Sequence, residues 1–317
     1  MTLIVVGHEY ENELNYSWSS DIANKVQKTK MRPNGIFAVA DSSITAPGSN
    51  GLQTILGGFR KIYPVAIKVW KPYFVGLYFR SYLEVHYEAE CFVAIAGSTL
   101  TAQHTLNLIS EHLGKIRISY ERSKELCTPG KYVLLRHCQK NVLEDGQGVD
   151  TWDEDMFTPN NYIDLITADD IATIVEYSIN EALISARKYK LDESSLKAMY
   201  SELAVGLYCP KEKQHKLFVF RMKNCTNAEG IIEVYATKEQ ILHGKVAVLG
   251  MRAEFESEAQ AIMNAAIEGN ESPVKKIFDF VNGAIDKIKS SGSFAIDRPS
   301  VGKVFNQGRL KTVFHQR

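Results

Sequence analysis

Thr2-Leu3-Ile4-Val5-Val6-Gly7 is an unbroken apolar run behind a hydroxyl residue, and Ile36-Phe37-Ala38-Val39-Ala40 is a second run that leads directly into Asp41. Short apolar runs without polar alternation fit strands buried on both faces. The chain therefore opens on a strand sealed inside the molecule, with Thr2 at its edge. Thr2 follows the initiator methionine, and a small second residue lets methionine aminopeptidase expose it as the new terminus. A free α-amino group has a pKa near 7.7–8.0, suited to general-base work. A terminal threonine thus carries a base for its own hydroxyl. Many chains begin Met-Thr without consequence, so this pair needs support from elsewhere in the sequence.

Outward from these runs the pattern stays β. Val65, Ile67 and Val69 alternate with Ala66 and Lys68, a strand that Pro72 is expected to stop. Leu83, Val85 and Tyr87 lead into Cys91-Phe92-Val93-Ala94-Ile95-Ala96, which ends at Gly97-Ser98. Thr45 to Gly58, rich in Gly, Ser and Pro, reads as a loop. Leu106, Ile109 and Leu113 mark a first helix, and a second starts at Thr167 with Asp170 as a capping pair. Strands return at Leu203–Tyr208, Leu217–Arg221, Ile231–Ala236 and Lys245–Leu249. Two helices follow, about Glu254–Ile267 and one capped by Ser272 with Pro273 at its first position, before short strands at Val301–Val304 and Leu310–Phe314. Strands, two helices, strands, two helices and final strands predict an α+β chain. Its expected form is two stacked sheets, each covered by a helix pair, in a four-layer α-β-β-α sandwich.

The 317 residues carry 37 basic and 37 acidic side chains, so no overall field draws nucleic acid or anionic lipid. No apolar run approaches the ~20 residues needed to cross a bilayer, and the amino terminus lacks a signal-peptide pattern. A cytoplasmic location is expected. The five cysteines, Cys91, Cys127, Cys138, Cys209 and Cys225, form no C-x-x-C, and His137-Cys138 lacks further ligands at zinc spacing. Reduced thiols, no metal and no cofactor are expected.

Several stretches together resemble the proteasome β-subunit family, including the bacterial HslV peptidase, within the N-terminal nucleophile (Ntn) hydrolases. They are Thr2-Leu3-Ile4-Val5-Val6, Ala40-Asp41-Ser42-Ser43-Ile44-Thr45, Arg60-Lys61-Ile62, Ala96-Gly97-Ser98 and Asp297-Arg298-Pro299-Ser300-Val301-Gly302. Taken singly, an aspartate after a strand also serves as a turn residue, and Gly-Ser before a helix as a cap. The resemblance implies a threonine peptidase in which Thr2 Oγ attacks the scissile carbonyl. Lys61 would lower the pKa values of its neighbours, Asp41 would hold that ammonium, and the Gly97 N–H would receive the oxyanion. Asp297 and Ser300 would anchor the amino group. Thr45 would pair with an extended polypeptide substrate, with Ser98 beside it. A homo-oligomeric ring, fed by an ATPase unfoldase, is also implied.

Two departures from the pattern stand out. Leu249-Gly250-Met251 places Met251 where the family usually has a serine. The stretches 8–34, 66–90 and 115–166 read as insertions in a single domain spanning 1–317. The alternatives are a catalytically weak or inactive scaffold with regulatory duties, or an Ntn amidohydrolase acting on a small amide.

Overall fold

A computed structural model describes residues 2–12, 31–48, 51–123, 130–188 and 192–317. Met1, Cys127 and residues 13–30 of the first expected insertion lie outside the described residues. The strands of the amino-terminal part are β1 (Leu3–Asn12), β2 (Met31–Ala40), β3 (Ile44–Gly48), β4 (Gly51–Leu56), β5 (Ile62–Val75) and β6 (Tyr78–Gly97). Next come α1 (Thr99–Gly114), β7 (Ile116–Glu121), β8 (Lys131–Leu135), α2 (Val142–Asp145), α3 (Ala168–Lys188) and α4 (Glu193–Met199). The remainder is β9 (Ser201–Cys209), β10 (Gln214–Thr226), β11 (Ile232–Ile241), β12 (Val246–Gly250), α5 (Arg252–Glu268), α6 (Pro273–Ser290), β13 (Ser300–Asn306) and β14 (Arg309–Gln316).

The strands form a five-stranded sheet ordered β12-β1-β2-β13-β14, a seven-stranded sheet ordered β11-β10-β9-β6-β5-β7-β8, and the small β3-β4 hairpin. The chain is thus mixed α+β. Among the described residues of the large sheets, only β5–β7 pairs in parallel.

The alternation of side chains along a strand explains why the decisive runs are apolar throughout. Leu3 and Val5 face one core with Phe255, Ile277 and Val281 of α5 and α6. Ile4 and Val6 face another with Phe92, Ala94, Leu217 and Val219 of the seven-stranded sheet. β6 behaves the same way. Cys91, Val93 and Ile95 join a core with Ile109 of α1 and Ile171 and Val175 of α3, while Phe92, Ala94 and Ala96 face the five-stranded sheet. Small residues on that shared face (Ala38, Ala40, Ala94, Ala96, Ala204 and Ala247) let the sheets approach, and Phe92 fills space against Phe305 at 6.0 Å between ring centroids.

Helix starts follow local chemistry. Thr167 Oγ1 accepts from Asp170 N at 3.1 Å and donates to the Asp170 carboxylate, as its spacing suggests. α6 differs from expectation. Ser272 makes no side-chain cap bond within its helix. Instead the Glu9 carboxylate accepts from Ser272 Oγ at 2.7 Å and from Val274 N at 2.9 Å, so β1 supplies the acceptor. Burial pushes the Glu9 carboxyl up, and these two bonds oppose that shift.

Two further expectations are corrected. Pro72 does not end its strand, because β5 and β6 form a long hairpin in which Pro72 sits between register shifts, where a missing N–H disrupts nothing. Thr45 to Gly58 is not all loop, since β3 and β4 pair within it. The stretch 115–166 contributes β7 and β8 to the edge of the seven-stranded sheet. It also supplies Leu143 and Trp152, which pack with Phe79 on the long hairpin. Asp153, Glu154 and Asp155 of this stretch are exposed. No described helix is long and apolar enough to cross a membrane.

Candidate active site

Two sheet ends meet at Thr2. In the antiparallel pairing of β1 with β2, Ile4 stands opposite Ala40, so Asp41 falls beside the start of β1. Asp41 N donates to Leu3 O at 3.2 Å, and Leu3 N donates back to Asp41 Oδ1 at 2.9 Å. In the facing sheet, Ile62 of β5 pairs with Ala94 of β6, which brings Lys61 and Gly97 to the same end. The Lys61 carbonyl accepts from Ile95 N at 2.9 Å and fixes the base of its side chain.

Thr2, Asp41 and Lys61 are all buried. Lys61 Nζ donates to Asp41 Oδ1 at 2.8 Å, to Asp41 Oδ2 at 2.9 Å and to Thr2 Oγ1 at 3.1 Å. One ammonium thus spends its donors on a carboxylate and on the hydroxyl. Burial pulls the Lys61 pKa down, and the Asp41 charge and hydrogen bonds oppose that pull. A cation held against Thr2 Oγ1 stabilises negative charge developing on that oxygen. Asp41 is further held by Ser43, whose N–H lies at 3.1 Å and hydroxyl at 2.7 Å from Oδ2.

A cleft of about 260 Å³ opens over this group, with Thr2, Lys61, Thr45, Gly97, Ser98 and Tyr200 in its wall. Gly97 has φ +111, and a Cβ there would come within 2.3 Å of the Tyr200 carbonyl oxygen, so the position admits only glycine without strain. Ser98 N donates to the same carbonyl at 2.9 Å, and Ser98 O accepts from Ala102 N at 2.9 Å as α1 begins. The positive end of the α1 dipole therefore faces the cleft, which favours a developing oxyanion.

Asp297 and Ser300, expected to anchor the Thr2 amine, have other side-chain partners among the described residues. Asp297 Oδ1 pairs with Lys289 Nζ at 2.5 Å and accepts from Arg298 N at 2.6 Å. Ser300 Oγ donates to Asn282 Oδ1 at 2.7 Å. Both side chains are engaged by α6 or by their own loop. The segment still braces the site through its backbone, since Ser42 Oγ donates to Pro299 O at 2.5 Å and Ser42 N to Asp297 O at 3.4 Å. Met251 replaces the expected hydroxyl with a main-chain contact. Its side chain is buried among α5 and α6, and its N–H donates to Thr2 O at 3.0 Å.

Ser43 and Glu202 were not singled out from the sequence. Ser43, two residues after Asp41, is in the position of an Asx-turn partner, and that spacing was the available signal. Glu202 is a buried carboxylate in an otherwise apolar strand, which was its signal. Glu202 Oε2 accepts from Gly250 N at 2.7 Å, and Oε1 lies 3.4 Å from Arg221 Nε. It braces the Gly250–Met251 turn that holds the Thr2 carbonyl.

No protein-family model matches the chain, and no curated protein matches it. Similar solved structures do exist. The Anbu (Gly-1) mutant from Hyphomicrobium sp. strain MC1 gives a TM-score of 0.41 at 10% identity, covering 100% of this chain and 87% of that chain. Anbu from the same strain gives 0.41 at 13% identity, covering 98% and 87%. Anbu (ancestral beta-subunit) from Yersinia bercovieri gives 0.45 at 11% identity, again covering 98% and 87%. The resemblance to the proteasome β-subunit and HslV family is thereby corrected. No family model supports it, and the similar structures bear the Anbu name at a likeness too distant to assign function.

Proposed function

We propose that the chain is an N-terminal threonine hydrolase that cleaves amide bonds of polypeptide substrates. The observation that carries the proposal is the buried Asp41–Lys61 pair whose ammonium reaches Thr2 Oγ1 at 3.1 Å. The proposal includes cleavage of the Met1–Thr2 bond, which frees the amine that acts as base. Thr2 Oγ1 attacks the substrate carbonyl carbon while its proton passes to the Thr2 amine, directly or through water. The tetrahedral oxyanion is received at the entrance of α1 beside Gly97. Collapse gives a threonyl ester, and the departing amine takes the proton. A water then attacks the ester, restores the hydroxyl and releases the acid. The cleft wall includes Thr45 of β3, a placement that suits an extended peptide better than a compact ligand. The three apolar cores support the further reading of a four-layer α-β-β-α sandwich.

A second reading, a non-catalytic scaffold, is favoured by one set of observations. Asp297, Ser300 and Met251 give no side-chain oxygen to Thr2. Hydrolysis of fluorogenic peptides by the mature chain, compared with Thr2→Ala, separates the two. The hydrolase reading expects turnover that Thr2→Ala abolishes, whereas equal rates in both proteins support the scaffold.

A further inference from the structure

At the far end of α1, three side chains from distant parts of the sequence converge. His112 belongs to the last turn of α1, and His137 and Cys138 lie in the turn after β8. One ligand-type atom from each lies within 4.8 Å of the others. His112 Nε2 is 3.9 Å from Cys138 Sγ. We propose that His112, His137 and Cys138 form a site for a borderline-soft divalent cation of the zinc type, independent of the Thr2 cleft.

The hydrogen bonds prepare the ligands. Ser178 Oγ donates its proton to Ile174 O at 2.7 Å, so it must accept at 2.8 Å from His112 Nδ1–H. This fixes the tautomer of His112 and leaves the Nε2 lone pair facing Cys138, as an outer partner does for a metal-binding histidine. His137 Nδ1 is buried without a hydrogen-bond partner, while its Nε2 lies 3.6 Å from Glu111 Oε1. A tetrahedral ion with Zn–S near 2.3 Å and Zn–N near 2.0–2.1 Å spaces its nitrogen and sulfur ligands by about 3.6 Å. The observed 3.9 Å needs only a small side-chain adjustment. Cys138 is exposed, so an ion can reach the site from solvent. On binding, the metal–sulfur bond forms as the thiol proton leaves to water. Two imidazoles and one thiolate favour zinc over hard cations such as magnesium. The fourth position is left to water, since Glu111 Oε1 is held by Lys115 Nζ at 2.9 Å. Sequence spacing could not show the site, because His112 is supplied by α1 across the β7–β8 strand pair.

The test uses the full chain, reduced, stripped with a chelator and titrated with cobalt(II) and then zinc(II). One equivalent of cobalt should give visible bands of tetrahedral type and a near-ultraviolet thiolate charge-transfer band, both removed by zinc. Cys138→Ser should lose the charge-transfer band, and Cys225→Ser should keep it. His137→Gln, at a half-buried ring, should weaken cobalt affinity at least tenfold. Ser178→Ala should weaken it by about 10- to 100-fold by freeing the His112 ring. Far-ultraviolet circular dichroism checks that each variant is folded. Absence of the charge-transfer band in the folded parent chain, or its persistence in Cys138→Ser, overturns the proposal.

Discussion

Lys61 Nζ lies 3.1 Å from Thr2 Oγ1 and within 2.9 Å of both oxygens of Asp41. A cation between a hydroxyl and a carboxylate cannot be removed quietly. Lys61→Met leaves a buried carboxylate without its counter-ion, and Asp41→Asn leaves a buried ammonium in the same state. Each is expected to cost about 3–5 kcal/mol in urea denaturation. The double variant Lys61→Met/Asp41→Asn removes both charges and keeps an oxygen for Leu3 N–H. It should recover more than half of that loss while Thr2 stays unreactive. Strict additivity of the two losses would show that the pair is not coupled.

The hydroxyl itself gives the next expectation. Thr2→Ser retains nucleophile and amine and should keep measurable peptide turnover. Thr2→Ala should lower it by roughly 10³-fold or more, the scale seen when a nucleophile is deleted. Steady-state rates on one fluorogenic peptide decide the matter, and equal rates for both variants would remove Thr2 from the chemistry.

Gly97 and Gly58 both have positive φ but differ in surroundings. A Cβ at Gly97 meets the Tyr200 carbonyl oxygen at 2.3 Å, whereas at Gly58 nothing lies within 4 Å. Gly58→Ala is expected to cost about 1 kcal/mol from backbone strain alone. Gly97→Ala should cost more and also suppress turnover, because the start of α1 must shift. Thermal melts and kinetics on the pair provide the check, and an active, unshifted Gly97→Ala would contradict it.

His8 stacks on His243 at 4.2 Å and donates from Nε2 to Ile241 O at 3.1 Å, and burial holds its pKa down at about 4 against an ordinary 6.5. Below pH 6.5 the unfolded chain takes up a proton that the folded chain refuses until about pH 4. Stability therefore falls as pH drops through that window, by about 2 kcal/mol between pH 7 and pH 5 from this ring. Urea denaturation of the parent and His8→Gln at both values should show that difference, and a parallel pH response in the two proteins would refute it.

The parts legible in the sequence are those fixed by alternation and strand ends. Thr2–Gly7 and Ile36–Asp41 could be read as buried strands because both faces of each meet a core. Once they pair antiparallel, Asp41 must lie beside Leu3, so the order of residues already places the carboxylate. Lys61 follows from the β5–β6 pairing in the same way. The partners of Asp297 and Ser300 were not legible, because Lys289 and Asn282 belong to α6, whose position depends on packing rather than local sequence. Glu9 at the start of α6 was hidden for the same reason, since it reaches that helix from β1.

Mass spectrometry of the mature chain, before and after a threonine-reactive β-lactone, tests the central claim most directly. The expected result is a chain beginning at Thr2 that takes up one equivalent of inhibitor, with the adduct on Thr2 and none on Thr2→Ala. A folded chain that retains Met1, or one beginning at Thr2 that stays unlabelled, would contradict it.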